Sequence, residues 1–157
     1  MKHNTVPQIG HPIHFLALGF GSGLAPVAPG TFGTLAAIPL FLLLAQLPLS
    51  AYLLTLALIC LAGIFICGKT ARDWGVHDHS AIVWDEFAGF LLTMTAAPRH
   101  WLWIMLGFGL FRLFDIWKPF PIGLLDAEVD GGLGIMLDDL VAGLYALLCL
   151  QTILYLS

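Results

Sequence analysis

Apolar residues in this chain gather into long uninterrupted runs, with neither the alternation of a half-buried strand nor the three-four spacing of an amphipathic helix. The runs cover residues 31–47, 50–67, 82–97, 101–117 and 140–156. Each approaches the ~17 to 25 residues that carry a helix across a bilayer, so five spanning helices are expected. A further stretch, 13–24, is short and holds Gly19, Gly21 and Gly23, and it is expected to form a re-entrant or interfacial segment. Prolines punctuate the runs: Pro26 and Pro29 precede the first, Pro48 and Pro98 stand between later ones, and Pro119 and Pro121 close the fourth. The expected architecture is therefore all-α, a compact multi-span helical membrane bundle of about five long apolar helices plus the short N-terminal segment. It forms a single domain over 11–157, preceded by a tail over 1–10 that carries no motif.

Composition narrows the class. Of 157 residues, 59% are hydrophobic and 10% charged, whereas about a quarter of an ordinary soluble domain is charged. Disorder is excluded by the same figures, since 11 Phe and 5 Trp offer ample apolar surface to bury. Six Lys plus Arg against ten Asp plus Glu give a net charge of −4, which leaves no basic stripe for a nucleic acid. Cys60, Cys67 and Cys149 lie inside apolar runs without a CxxC pair and are read as packing residues. His3, His11, His14 and His100 are read as interfacial, and the tryptophans near span ends as an aromatic belt.

Alternating the spans across a bilayer sorts the charges. Lys69, Arg72, Arg112 and Lys118 fall on one side and Arg99 on the other, so the positive-inside rule makes the richer side cytoplasmic. Asp73, Asp78, Asp85, Glu86, Asp115, Asp138 and Asp139 collect on that side too, from distant parts of the chain.

Trp84-Asp85-Glu86 is the sharpest feature, because an ionised acid inside a spanning helix costs about 2.5 to 3.5 kcal/mol. Two readings stand: the acids mark a helix start and complement its dipole, or they bind a cation. Asp115, three residues after Arg112, and Asp138-Asp139 at the head of the last run favour the cation. Carboxylates from several helices suit Mg²⁺, a hard ion that prefers oxygen ligands. Gly89 and Gly143 follow Asp85 and Asp139 by one turn and would let those helices approach closely. Arg112 and Lys118 beside such a site could hold an anion, with phosphate the natural candidate. The glycine-rich segment around Gly30, Thr31 and Gly33, and the loop Gly131-Gly-Leu-Gly134, could offer backbone N–H groups to it, although neither matches a P-loop. His77-Asp78-His79 could supply a metal ligand or a proton shuttle, or be structural. The chain has no Cys-x5-Arg, Asp-x-Asp or Gly-x-Ser-x-Gly pattern, so a metal-activated water is the simplest nucleophile.

Four strings in order, GFGSGLAPVAPGTFGTLAAIP (19–39), HDHSAIVWDEFAGF (77–90), FRLFDIWKPFPI (111–122) and GGLGIMLDDLVAG (131–143), resemble the bacterial phosphatidylglycerophosphatase A family. The resemblance covers nearly the whole chain after the tail. It implies a Mg²⁺-dependent lipid phosphatase of the bacterial inner membrane, multi-pass, with its site facing the cytoplasm. Its substrate would be phosphatidylglycerophosphate and its products phosphatidylglycerol and inorganic phosphate. It further implies catalytic roles for Asp85, Asp139, His77 and Asp78, and phosphate contacts from Arg112, Lys118, Gly30, Thr31 and Gly33. The metal would be held among Asp85, Glu86, Asp115, Asp138 and Asp139. Membrane lipid is the expected partner, and the sequence leaves the oligomeric state open. Three rival classes would leave other signatures. An ion-coupled transporter would place acids at the midplane and show inverted repeats, a CDP-alcohol phosphatidyltransferase would carry Asp-Gly-x2-Ala-Arg, and a structural subunit would have no use for clustered acids.

Overall fold

The computed structural model describes residues 9–157, so His3 and most of the expected tail lie outside the described residues. Seven helices and no strand occur among them: α1 (Pro12–Ala17), α2 (Pro29–Leu44), α3 (Leu49–Trp74), α4 (Trp84–Thr93), α5 (Trp101–Trp117), α6 (Ile122–Glu128) and α7 (Gly131–Leu156). A single 3₁₀ turn, Ser22–Leu24, links α1 to α2.

Helix ends follow local chemistry. Pro29 opens α2, where its missing N–H has no partner to lose. The last turn of α3 is closed by Gly75 in the left-handed region (φ 67°), with the N–H of Val76 donating to the carbonyl of Ala71. Helix α5 begins where the ring of His100 accepts the N–H of Leu102, and ends at Lys118 because Pro119 cannot continue it.

The all-helical class stands, but five spans do not. Among the described residues, only α3 and α7, of 26 residues each, are long and apolar enough to cross a bilayer. Helix α4 has 10 residues, about 15 Å of rise against a hydrocarbon core of about 30 Å. Every residue from Ala81 to Leu91 is buried, so the run over 82–97 is apolar because protein surrounds it. The 16 residues of α2 rise about 24 Å and the 17 of α5 about 25 Å, both short of that thickness. Two expected loops are largely helical: α3 runs on through Trp74, while α6 and the first third of α7 fill much of 118–139.

Helix α4 is the axis of the bundle, packed by α7, α2 and α3. Phe41, Phe87, Phe90, Phe111 and Leu150 fill the core around it. Its tightest seam is with α7, where a Cβ on Gly143 would stand 2.5 Å from the carbonyl oxygen of Gly89. Around this core the bundle exposes a belt of large apolar side chains. On α3 alone Leu54, Leu58, Leu61 and Phe65 are 57–65% exposed, far more apolar surface than water tolerates.

His14, expected at an interface, is buried. Its Nε2 lies 2.9 Å from Asp73, which Lys69 also contacts at 2.8 Å, so α1 is tied to the end of α3. The carbonyl of Ala17 then accepts the N–H of Val83 at 2.8 Å, which fixes the residue just ahead of α4.

Candidate active site

The first turn of α4 and the third turn of α7 meet at one end of the bundle. There Asp85, Glu86 and Asp139 each turn a carboxylate oxygen inward, and the three oxygens lie within 4.8 Å of one another. Asp85 Oδ1, Glu86 Oε2 and Asp139 Oδ2 are buried without a hydrogen-bond partner. Three carboxylates crowded out of water without donors are an arrangement that a bound cation would stabilise.

The other acids have partners already. Arg112 Nη1 pairs with Asp115, and the same nitrogen stands 4.0 Å from Glu86 Oε1. Lys118 Nζ donates to Asp138 Oδ2 at 2.7 Å and lies 3.8 Å from both Asp115 and Asp126. Of the five acids expected around the metal, Asp85 and Asp139 have no ion pair, Glu86 has only the 4.0 Å approach of Arg112, and Asp115 and Asp138 are closely paired, although Asp138 Oδ1 is also buried without a partner. The Nε of Arg112 is also buried and unpartnered.

These groups line an open cleft of about 330 Å³. Gly30, Asp78, Asp85, Glu86, Arg112, Asp115, Lys118, Asp138 and Asp139 all contribute to its wall. Gly30 lets α2 come close to these groups: a Cβ would stand 2.5 Å from Glu86 Oε1 and 3.1 Å from Arg112 Nη1, so those side-chain ends would have to move. Desolvation raises the Asp78 carboxyl above its ordinary value although the residue is exposed by surface area, Asp126 adds to the rise, and Lys118 opposes it. Burial alone would lower the Lys118 ammonium, but Asp138, Asp115 and Asp126 outweigh it and hold the group above the usual lysine value.

Three expected site residues lie outside this wall. His77, half exposed, pairs with Asp130 on the surface. Thr31 is half-buried on α2 and does not reach the cleft. Gly33 serves packing, since a Cβ there would be 2.6 Å from Val83. The segment Gly131-Gly-Leu-Gly134, expected as a loop, is the first turn of α7 and also serves packing, with Gly132 seated against the backbone of Ile64 and Gly68. His79 and Ser80 do line the cleft, and the sequence reading gave them little or no weight. Their signal was position, in a polar loop that leads directly into α4. Asp126 went unnoticed because its helix α6 is too short and mixed to stand out from a loop.

The family model described as Phosphatidylglycerophosphatase A matches residues 15–154. A protein of that name from Escherichia coli (strain K12) is 51% identical over 137 residues, 87% of this chain and 80% of its own length. Another from Haemophilus influenzae is 49% identical over 158 residues, covering 98% of this chain and 97% of its own. A protein from Bacteroides thetaiotaomicron named "Putative phosphatidylinositol-3-phosphatase" is 40% identical over 139 residues, 83% of this chain and 86% of its own. No solved structure matches the chain.

Proposed function

The chain belongs to the phosphatidylglycerophosphatase A family, and from that premise we propose that it hydrolyses the terminal phosphomonoester of phosphatidylglycerophosphate, yielding phosphatidylglycerol and inorganic phosphate. Membership makes it a phosphatase. The observation that carries the reading is the trio Asp85, Glu86 and Asp139, with orphaned buried oxygens beside the unpartnered Nε of Arg112.

An all-oxygen, carboxylate-rich donor set fits Mg²⁺, and Asp85, Glu86 and Asp139 would hold it. The ion would supply Lewis acidity toward a phosphoryl oxygen and acidify a water at neutral pH. The remaining work falls to the chain. Arg112 and Lys118 bind the phosphoryl oxygens and offset the charge that develops on them. Asp115 and Asp138 hold those two cations in place. Asp78, the cleft carboxylate outside the trio and its paired neighbours, accepts a proton from the attacking water, which its raised affinity for protons suits. The water oxygen bonds to phosphorus, the P–O bond to glycerol breaks, and the leaving oxygen takes up a proton from solvent while Asp78 later gives its proton back to solvent.

We place the enzyme in the bacterial inner membrane as a multi-pass protein, its cleft toward the cytoplasm. The support is that Arg112 and Lys118 lie at the cleft end of a bundle whose α3 and α7 have spanning length. A second reading, another phosphorylated lipid as substrate, is favoured by the 40% identity to the protein named for phosphatidylinositol phosphate.

The test is phosphate release from phosphatidylglycerophosphate in mixed micelles, with Mg²⁺ and with EDTA, using Asp139→Asn as the blank. Release that needs both Mg²⁺ and Asp139 is the expected result. Release insensitive to EDTA would overturn the metal assignment, and preference for phosphatidylinositol phosphate would favour the second reading.

A further inference from the structure

The cleft is lined by residues of two kinds. Asp78, His79, Ser80 and Lys118 are polar. Ala28 and Pro29 at the start of α2 and Ile116 near the end of α5 give it an apolar part. Two stripes run on from it at helical spacing, Pro29 to Phe32 on α2 and Ile116 back to Leu113 on α5. Ile116 is 68% exposed, Leu113 52% and Phe32 50%, so both stripes are open to the surroundings. The two helices meet at Gly30, beside the Arg112 guanidinium, so the stripes begin where the phosphate donors end. The longer apolar face of α3 has no such continuity, because none of its residues lines the cleft.

We propose that this seam between α2 and α5 is the portal for the lipid part of the substrate, with acyl chains passing sideways over Ile116 into the bilayer while the headgroup lies in the cleft. The proposal deepens the lipid phosphatase reading and rests on it. An amphiphile entering from a membrane need not leave the bilayer to reach the acids: its charged end crosses to Arg112 and its chains stay on apolar surface. Ile116 is then a specificity residue, since it decides whether the phosphomonoester must carry acyl chains.

The experiment compares two substrates sharing the same phosphates and glycerols: phosphatidylglycerophosphate and its deacylated, water-soluble form. The quantity read is the ratio of kcat/KM for the first over the second. Ile116→Glu and Phe32→Glu are expected to lower that ratio by about tenfold or more, because a charge replaces the surface along which several methylenes lie. Leu58→Glu, on the lipid face of α3, should leave it within about twofold. Equal loss on both substrates at Ile116, or an equal fall of the ratio in Leu58→Glu, would overturn the portal.

A second arm needs no turnover. A photoreactive benzophenone amino acid at position 116 or 58 is irradiated in vesicles holding traces of labelled phosphatidic acid, a phosphomonoester lipid, or labelled phosphatidylcholine. Position 116 should capture phosphatidic acid preferentially, and position 58 should take both alike. Equal capture at position 116 would overturn the proposal even in a variant set that folds poorly. If the unsubstituted enzyme hydrolyses neither substrate, the phosphatase reading fails, and this arm decides the portal by itself.

Discussion

Gly143→Ala adds one methyl group where α7 lies backbone to backbone against α4. Its Cβ would stand 2.5 Å from the carbonyl oxygen of Gly89, where ordinary contact begins at 3.4 Å. The obstacle is the backbone of α4, so no side chain can swing away, and α4 and α7 must part by about 0.9 Å, the gap between those two distances. Asp139 lies one turn from Gly143 on α7, and Asp85 lies one turn from Gly89 on α4, so the separation is delivered directly to the acidic trio. Overpacking of this kind costs about 1 to 3 kcal/mol of stability. A misplacement near 1 Å among groups that must converge costs up to about 100-fold in rate. We therefore expect Gly143→Ala to lower kcat/KM by about 10- to 100-fold and to raise the Mg²⁺ concentration at half-maximal rate. Phosphate release across a Mg²⁺ titration reads both. Gly109→Ala on α5 is the control, since a Cβ there meets nothing within 4 Å and activity should be unchanged. A Gly143→Ala enzyme as active as the unsubstituted one at every Mg²⁺ concentration would refute the claim that this seam sets the spacing of the acids.

Other perturbations address separate contacts. Lys118→Met strips Asp138 of its 2.7 Å partner while leaving it buried; it should cost about 1 to 3 kcal/mol in detergent unfolding, allowing for the partial exposure of the lysine. The double variant with Asp138→Asn should recover most of that stability. His77→Ala, which removes a surface pair with Asp130, should cost activity less than about tenfold, and Asp78→Asn in the cleft wall should cost more. His14→Ala should destabilise the protein by about 1 kcal/mol, read by thermal unfolding, and His14→Gln should restore part of it by donating to Asp73. Cys60→Ala should leave phosphate release within about twofold, as expected of a packing residue.

The helices were legible in the sequence where one physical cause acted. The run over 101–117 coincides with α5, bounded by Pro98 on one side and Pro119 on the other. The run over 50–67 stops seven residues before α3 does, because Lys69, Arg72 and Asp73 end the apolar stretch without ending the hydrogen-bond ladder. Hydropathy failed at α4 for a different reason: a helix wrapped in protein and one wrapped in lipid are equally apolar. The site was legible as a gathering of residue types. Asp85, Glu86, Asp139, Arg112 and Lys118 fell on one side of the alternating runs and share the cleft wall. Which acids are free and which are neutralised was not legible, since Asp115 and Asp138 are distinguished only by the three-dimensional reach of Arg112 and Lys118.

The shortness of α4 bears on how the protein is made. About 15 Å of helix carrying two acids cannot rest in a bilayer on its own. Its shelter comes from α2 and α3, synthesised before it, and from α7, the last element of the chain. Insertion therefore cannot be completed helix by helix in the order of translation. In a membrane-inserted enzyme, helix α4 would be fully sheltered only after residues beyond 131 have been made. A chain stopped before that point would hold Asp85 and Glu86 without the helix that supplies Asp139, so the acidic trio is complete only when the last helix is in place.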